Sequence, residues 1–294
     1  MRAIRVSGTS AVHEPFPPVT ALHGTHAHTL PAAACSRATL WIDIAWLAVE
    51  TAAREPVLRE LVADTRLMDA TPADIVGAVL GRRLGSGDRA ERVALKTLFV
   101  DTLEEEPTLL AMLETDLLAV VGHDPACRSP LHALLNLKGL HALQTHRIAH
   151  SLWQRERCDV AHWLSSLAST ALGVDIHPAV PIGNGVVLDH ATGIVIGETA
   201  VVEDGVTIFQ GVTLGATGKQ RGDRHPKVRR GALLGAGAKV LGNIEVGRGS
   251  KVGAGSVVLR PVPARCTVAG VPARVVRTRI GDPLGRGEPL RTAA

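Results

Sequence analysis

Asp175, Asp189 and His190 are residues whose types and spacing could do acid–base chemistry. Histidine is the side chain that accepts a proton near neutral pH. A carboxylate on its other ring nitrogen would fix the tautomer and stabilise the imidazolium. Asp175 precedes His190 by fifteen residues. A second polar run, GATGKQRGDRHPKV from Gly215 to Val228, carries Lys219, Asp223, Arg224 and His225. Arg224 offers a planar fork for a carboxylate or phosphate. Spacing alone leaves plain alternatives open: a surface or core histidine in the first case, a tolerated polar insertion in the second.

These residues need a scaffold, and the chain supplies one from Val174 onward. An aliphatic residue returns at every sixth position, often followed by Gly. Ile182 and Leu188 carry this beat, then Ile196, Val202, Ile208 and Leu214, then Leu234, Val240, Val246, Val252 and Val258. A short fixed period marks a parallel β-helix. Each hexapeptide makes one strand and one turn, and three make a triangular coil. The aliphatic residue points inward, and the Gly after it is expected to relieve the corner by adopting φ > 0. Fifteen residues is then slightly under one coil, so Asp175 could lie beside or beneath His190. The beat breaks twice. Leu188 to Ile196 is eight residues, and the excess contains Asp189 and His190. Leu214 to Leu234 is twenty, read as two more than three full beats, and residues 216–228 are expected to loop out. Loops held on rigid scaffolds commonly carry binding groups.

Residues 38–173 read as a helical domain. Trp41, Ile44, Ala45 and Ala48 share one helical face. Thr71-Pro72 and Ser129-Pro130 are helix starts, and Gly85 and Gly173 are stops. The period changes at Val174, and the β-helix is expected over 174–276. Residues 1–37 read as a disordered tail whose His23, His26 and His28 could bind a metal. Residues 277–294 read as a flexible tail.

Composition narrows the function. With no Tyr and three Phe, base-stacking nucleic-acid platforms are not expected. The net charge of +4 is small. The four cysteines are scattered and make no CxxC pair, which suits free thiols in a reducing compartment. No membrane span and no secretory signal are expected. His146 and His150 lack the Glu of a zinc-protease motif, and with His132, His141 and His162 read as packing or surface residues.

Several runs together resemble the serine acetyltransferases: VDIHP from Val174, LDHATG from Leu188, GET from Gly197, TLGATGK from Thr213, GDRHPK from Gly222, GAGAKVLGNIEVG from Gly235, VGAGSVVL from Val252 and AGVPAR from Ala269. DPA at Asp124 and LKGLHALQTHRIAH from Leu137 extend the resemblance into the helical segment. It covers roughly residues 40 to 277, and DHATG with GDRHPK is its most specific part.

The resemblance implies an α+β chain, an N-terminal α-helical domain followed by a left-handed parallel β-helix. It implies a cytoplasmic enzyme making O-acetyl-L-serine from L-serine and acetyl-CoA, the first step of cysteine synthesis. A trimer or a hexamer (a dimer of trimers) is implied, with sites between neighbouring prisms. The general base falls on His190 and its orienting acid on Asp175. The serine-binding residues fall on Asp124, Asp189, Arg224 and His225. The CoA strip falls on Gly215, Ala236, Lys251 and Ala254. No metal is expected, and L-cysteine is implied as a feedback inhibitor. Serine is a zwitterion, so acids for its ammonium and a cation for its carboxylate suit it.

This chain departs from the family in having Ala216 after Gly215, and Gly211 where relatives often carry Ser or His. It ends Leu290-Arg291-Thr292-Ala293-Ala294 where relatives often end in Ile, which leaves a complex with O-acetylserine sulfhydrylase doubtful. Rival readings are an acetyltransferase for homoserine or a sugar, a zinc carbonic anhydrase using His177, His190 and His225, and a non-catalytic prism.

Overall fold

The structure, a computed structural model, describes residues 36–65, 70–219 and 221–278. The expectations for the N-terminal tail, with His23, His26 and His28, and for residues 279–294 lie outside the described residues. Helices come first: α1 (Leu40–Arg54), α2 (Arg59–Asp64), α3 (Pro72–Leu84), α4 (Arg89–Glu105), α5 (Pro107–His123), α6 (Pro130–Asn136), α7 (Lys138–Gln154) and α8 (Cys158–Leu172). Their ends follow local chemistry. Thr71 Oγ1 accepts from the Asp74 N–H at 3.2 Å, and Ser129 Oγ from the His132 N–H at 3.1 Å, each just ahead of a Pro at the first helical position. Gly173 stops α8 in the left-handed region.

A left-handed parallel β-helix follows. One sheet stacks β1 (Val174–Ile176), β3 (Ile194–Ile196), β6 (Thr213–Gly215), β9 (Lys239–Leu241) and β12 (Val257–Val258). A second stacks β4 (Val201–Val202), β7 (Lys227–Val228) and β10 (Glu245–Val246). The third stacks β2 (Val187–Asp189), β5 (Thr207–Phe209), β8 (Leu233–Leu234), β11 (Lys251–Val252) and β13 (Cys266–Gly270), closed by antiparallel β14 (Ala273–Thr278). Inside run three ladders: Ile176, Ile196, Leu214, Val240, Val258; Leu188, Ile208, Leu234, Val252, Val268; and Ile182, Val202, Val228, Val246, Val262. Every member is at most 8% exposed. All but Leu188, Leu214 and Leu234 are β-branched, which suits short stacked strands.

The glycine expectation needs correcting. Glycines directly after the inward aliphatic, such as Gly235, do not have positive φ. They allow close approach, since a Cβ on Gly235 would lie 2.7 Å from the Ala254 nitrogen one coil on. The left-handed corners fall three positions after the aliphatic, at Gly211, Gly237 and Gly255.

The helical domain docks on the prism through α7. Arg147, buried, donates to both oxygens of buried Asp116 on α5 at 2.8 and 3.0 Å, and to the carbonyls of Ile182 and Gly183. Asp116 also accepts from Gln144 and from the Gly185 N–H. Burial pushes the Asp116 carboxyl up despite the guanidinium against it. Removing one partner of such a pair costs about 3–5 kcal/mol. His146, one residue before, donates to the Val180 carbonyl at 2.9 Å, and burial holds it at about 3. His141 donates to the Leu134 carbonyl at 2.7 Å and is held by burial at about 4. Both are neutral packing groups.

Candidate active site

The first break is a two-residue insertion at one corner. Leu188 pairs with Ile208, 20 positions on, where Ile196 pairs with Leu214, 18 on. The excess is absorbed by two consecutive non-glycine residues in the left-handed region, His190 at φ 56° and Ala191 at φ 59°. Ala191 N–H donates to the Asp189 carbonyl at 2.6 Å, and Thr192 N–H to the His190 carbonyl at 2.7 Å. The turn buries Ala191 and throws the His190 side chain outward, 75% exposed. Asp189 Oδ1 lies 3.8 Å from His190 Nε2.

Helix α7 is pressed against this turn. A Cβ on Gly139 would lie 1.9 Å from the Leu188 carbonyl oxygen, so only glycine permits the approach. Next to it, Lys138 Nζ donates to Thr192 Oγ1. Asp124 caps the end of α5, where its Oδ1 accepts from the Ala126 N–H at 2.8 Å. Asp124, Asp189 and His190 line one cleft of about 490 Å³, together with His132 and Lys138.

The second break is larger than the sequence reading had it. Leu214 pairs with Val240, 26 positions on, so the insertion is eight residues and not two. Val228 resumes the beat. Lys227 and Val228 form β7, so the loop ends before them and not at 228. This loop is locked onto the GET segment. Thr199 Oγ1 accepts from the N–H groups of Arg224 and His225 at 2.9 and 3.0 Å. Thr199 N–H donates to His225 Nδ1 at 3.2 Å, which leaves the ring proton on Nε2. Burial, then the Arg224 charge, pushes the buried His225 below the usual histidine range. Its ring covers Gly197, where a Cβ would lie 2.0 Å from Nε2. Arg224 donates to Glu198 at 2.7 Å and to the Gly222 carbonyl at 3.0 Å. That bond holds the Glu198 carboxyl below its usual range. Lys227 bonds Asp223 and the carbonyls of Thr199 and His225. His177 stands edge-on to Trp153 and His162 beside this group, lowered by burial against the pull of Glu198.

The structure therefore gathers the expected residues into two groups. Asp124, Asp189 and His190 meet in the cleft. Arg224 and His225 belong to the opposite corner of the same sheet, with β3 between. At ~3.3 Å per residue the two corners are on the order of 15 Å apart. Asp175 does not pair with His190 within the chain. Its neighbour one coil on is Val195, because the first coil has 20 residues, and no hydrogen bond joins Asp175 to His190 among the described residues. Asp175 is exposed on the sheet face, and its charge is felt by His177 along with those of Glu198 and Arg224.

Of the four residues expected to form the CoA strip, Ala236 and Ala254 stack in the corner column beneath His190. The Gly211 N–H bonds the Thr192 carbonyl, Gly237 bonds Gln210, and Gly255 bonds Ala236. Lys251 lies on β11 in the adjoining sheet, and Gly215 ends β6 at the corner of the second break. Sequence reasoning did not assign Lys138, Glu198 or Thr199. The signal for the last two was GET, quoted for resemblance but not for chemistry. Among the described residues no group of three or more His, Cys, Asp or Glu could hold a metal ion.

Comparison with known proteins agrees with this architecture. Residues 40–145 match the family model "Serine acetyltransferase, N-terminal", and residues 225–260 match "Bacterial transferase hexapeptide (six repeats)". The serine acetyltransferase of Salmonella typhimurium is 48% identical over 240 residues, 80% of this chain and 88% of that protein. A crystal structure of serine acetyltransferase in complex with coenzyme A, from Brucella abortus strain S19, superposes with a TM-score of 0.79 at 48% identity, covering 82% of this chain and 97% of that one. A serine acetyltransferase in complex with cysteine gives a TM-score of 0.78 at 45% identity, covering 82% and 99%. A helical domain docked on a hexapeptide prism, with matches of this extent to both parts, places the chain in the serine acetyltransferase family of acyltransferases.

Proposed function

We propose that the protein transfers the acetyl group of acetyl-CoA to the hydroxyl of L-serine, giving O-acetyl-L-serine and CoA for cysteine synthesis in the cytoplasm. The convergence of Asp124, Asp189 and His190 in one cleft carries this reading. It lies at the head of a corner column floored by Ala236 and Ala254. The acids suit the ammonium of serine, and the exposed imidazole suits its hydroxyl. Small corner residues leave room for a pantetheine arm, with Lys251 and Gly215 on flanking faces.

His190 takes the hydroxyl proton as the serine oxygen attacks the thioester carbonyl. The tetrahedral oxyanion collapses, the C–S bond breaks, and the CoA thiolate recovers the proton from the imidazolium. Arg224 and His225 lie too far from His190 within one chain to hold the same serine. The site is therefore completed between copies, in a trimer or a dimer of trimers, where one prism presents His190 and its neighbour presents Asp175, Arg224 and the Nε2–H of His225. A closed heterologous ring repeats such a contact at every interface. L-Cysteine, close to serine in shape and charge, acts as an inhibitor on the same groups. Among the described residues no helix is long and apolar enough to cross a membrane, and Cys127, Cys158 and Cys266 are free thiols.

The test is CoA release from acetyl-CoA with L-serine, with homoserine and with no acceptor. Serine-dependent release is expected. Equal release with and without serine would rule the reading out.

A further inference from the structure

The His190 turn is strained; within the prism it is held by its own short backbone bonds and by the buried Ala191. Four described non-glycine residues have positive φ, Glu156, His190, Ala191 and Arg265, and only His190 and Ala191 are consecutive. Non-glycine residues in this region cost about 1–3 kcal/mol each and persist only where their surroundings over-determine them. The column's regular left-handed positions are glycines, Gly193, Gly211, Gly237 and Gly255, with no such cost, so the strain of His190 and Ala191 is additional to the corner. The side chain of His190 is mostly exposed, and Asp189 stands 3.8 Å from it, so that pair does not hold the turn.

A further hold on the turn comes from the helical domain. Gly139 sets α7 directly on the Leu188 carbonyl, at a distance a side chain would forbid. That contact fixes where Lys138 begins the helix, and Lys138 Nζ bonds Thr192 Oγ1, 54 residues away in sequence. The same hydroxyl lies 3.5 Å from the His190 carbonyl. Lys138 is half-buried on the wall of the cleft that holds Asp124, Asp189 and His190.

We propose that Lys138 is a positioning residue for catalysis: through Thr192 it pins the left-handed His190–Ala191 turn and so sets the aim of the general base. The inference rests on His190 being that base. It makes the helical domain part of the catalytic apparatus and not only an assembly module. A Lys138 that instead bound the serine carboxylate would act on KM, and the two roles separate cleanly.

The experiment uses the full-length protein as Lys138→Met, Lys138→Arg, Thr192→Val and the Lys138→Met/Thr192→Val double variant. With serine and acetyl-CoA, Lys138→Met and Thr192→Val should each lower kcat about tenfold or more, with the serine KM changed less than about threefold. Lys138→Arg should recover most of kcat. The double variant should be no worse than either single one, as expected for two halves of one contact. Hydrogen–deuterium exchange gives a readout independent of activity. Peptides spanning 186–196 should exchange faster in Lys138→Met, while peptides of β5, β8 and the rest of α7 stay unchanged. A raised serine KM at constant kcat would overturn the proposal, as would unchanged exchange in that segment. If the wild type shows no serine-dependent turnover, the functional reading fails, and exchange alone decides whether Lys138 holds the turn.

Discussion

The two breaks in the prism solve opposite problems. The first adds two residues and leaves a histidine exposed on a strained turn, secured from outside by α7. The second adds eight and secures itself. Thr199 receives two backbone N–H groups, Glu198 holds Arg224, and Lys227 ties Asp223 to the strand that follows. The proposed base needs access and a fixed aim, so it gains from exposure with a remote prop. The proposed substrate clamp needs rigid charge and donors, so it gains from a closed local network. The difference suggests that damage at the first break will act on rate, and damage at the second on both folding and substrate affinity.

The sharpest way to break that contrast is His190→Asn. Asn tolerates the left-handed region, so the turn is kept and only the base is lost. Turnover should fall about 10²–10⁴-fold, with the thermal midpoint unchanged because the side chain is exposed. A large loss of stability would mean the first break is structural after all. Gly197→Ala probes the second break. The added methyl would collide with the His225 ring, which must leave its seat on Thr199. We expect about 1–3 kcal/mol of destabilisation and a higher serine KM, with the acetyl-CoA KM unchanged.

The smallest expected effect concerns the prop. His146 lies on the α7 that carries Lys138 and is buried neutral at about 3. The unfolded chain titrates near ~6.5, so below that pH it binds a proton that the folded state refuses. The stability contributed is complete above ~6.5 and is lost as pH falls towards 3. His146→Gln should reduce the loss between pH 7 and 5 by about 1–2 kcal/mol in denaturant titrations. An identical loss in both proteins would exclude His146 as the source.

The fold was legible because its inward ladders depend only on residue type and period. Eleven aliphatic positions on a six-residue beat, broken twice, leave little else to build. The sequence hides the size of the second break because Val228, which resumes the beat, sits directly behind a polar run. The Asp175–His190 pairing was not legible for a related reason. A beat of six implies an 18-residue coil, but the local coil has 20, so Asp175 aligns with Val195. Lys138 was beyond sequence reasoning altogether, since its role depends on a helix seating against a strand far along the chain. The motifs quoted for resemblance did contain the locking residues, Thr192 in DHATG and Glu198 and Thr199 in GET, but their partners emerge only in three dimensions.

Complementation tests the two-copy site most directly. His190→Asn and Arg224→Ala proteins, each nearly inactive alone, are co-expressed so that their copies mix, and serine-dependent CoA release is measured. If one prism supplies His190 and its neighbour Arg224, random mixing restores intact sites at about a quarter of the interfaces, and activity returns to roughly that fraction of wild type. If the mixture stays as inactive as its components, both groups act within one chain, and the site is not built between copies.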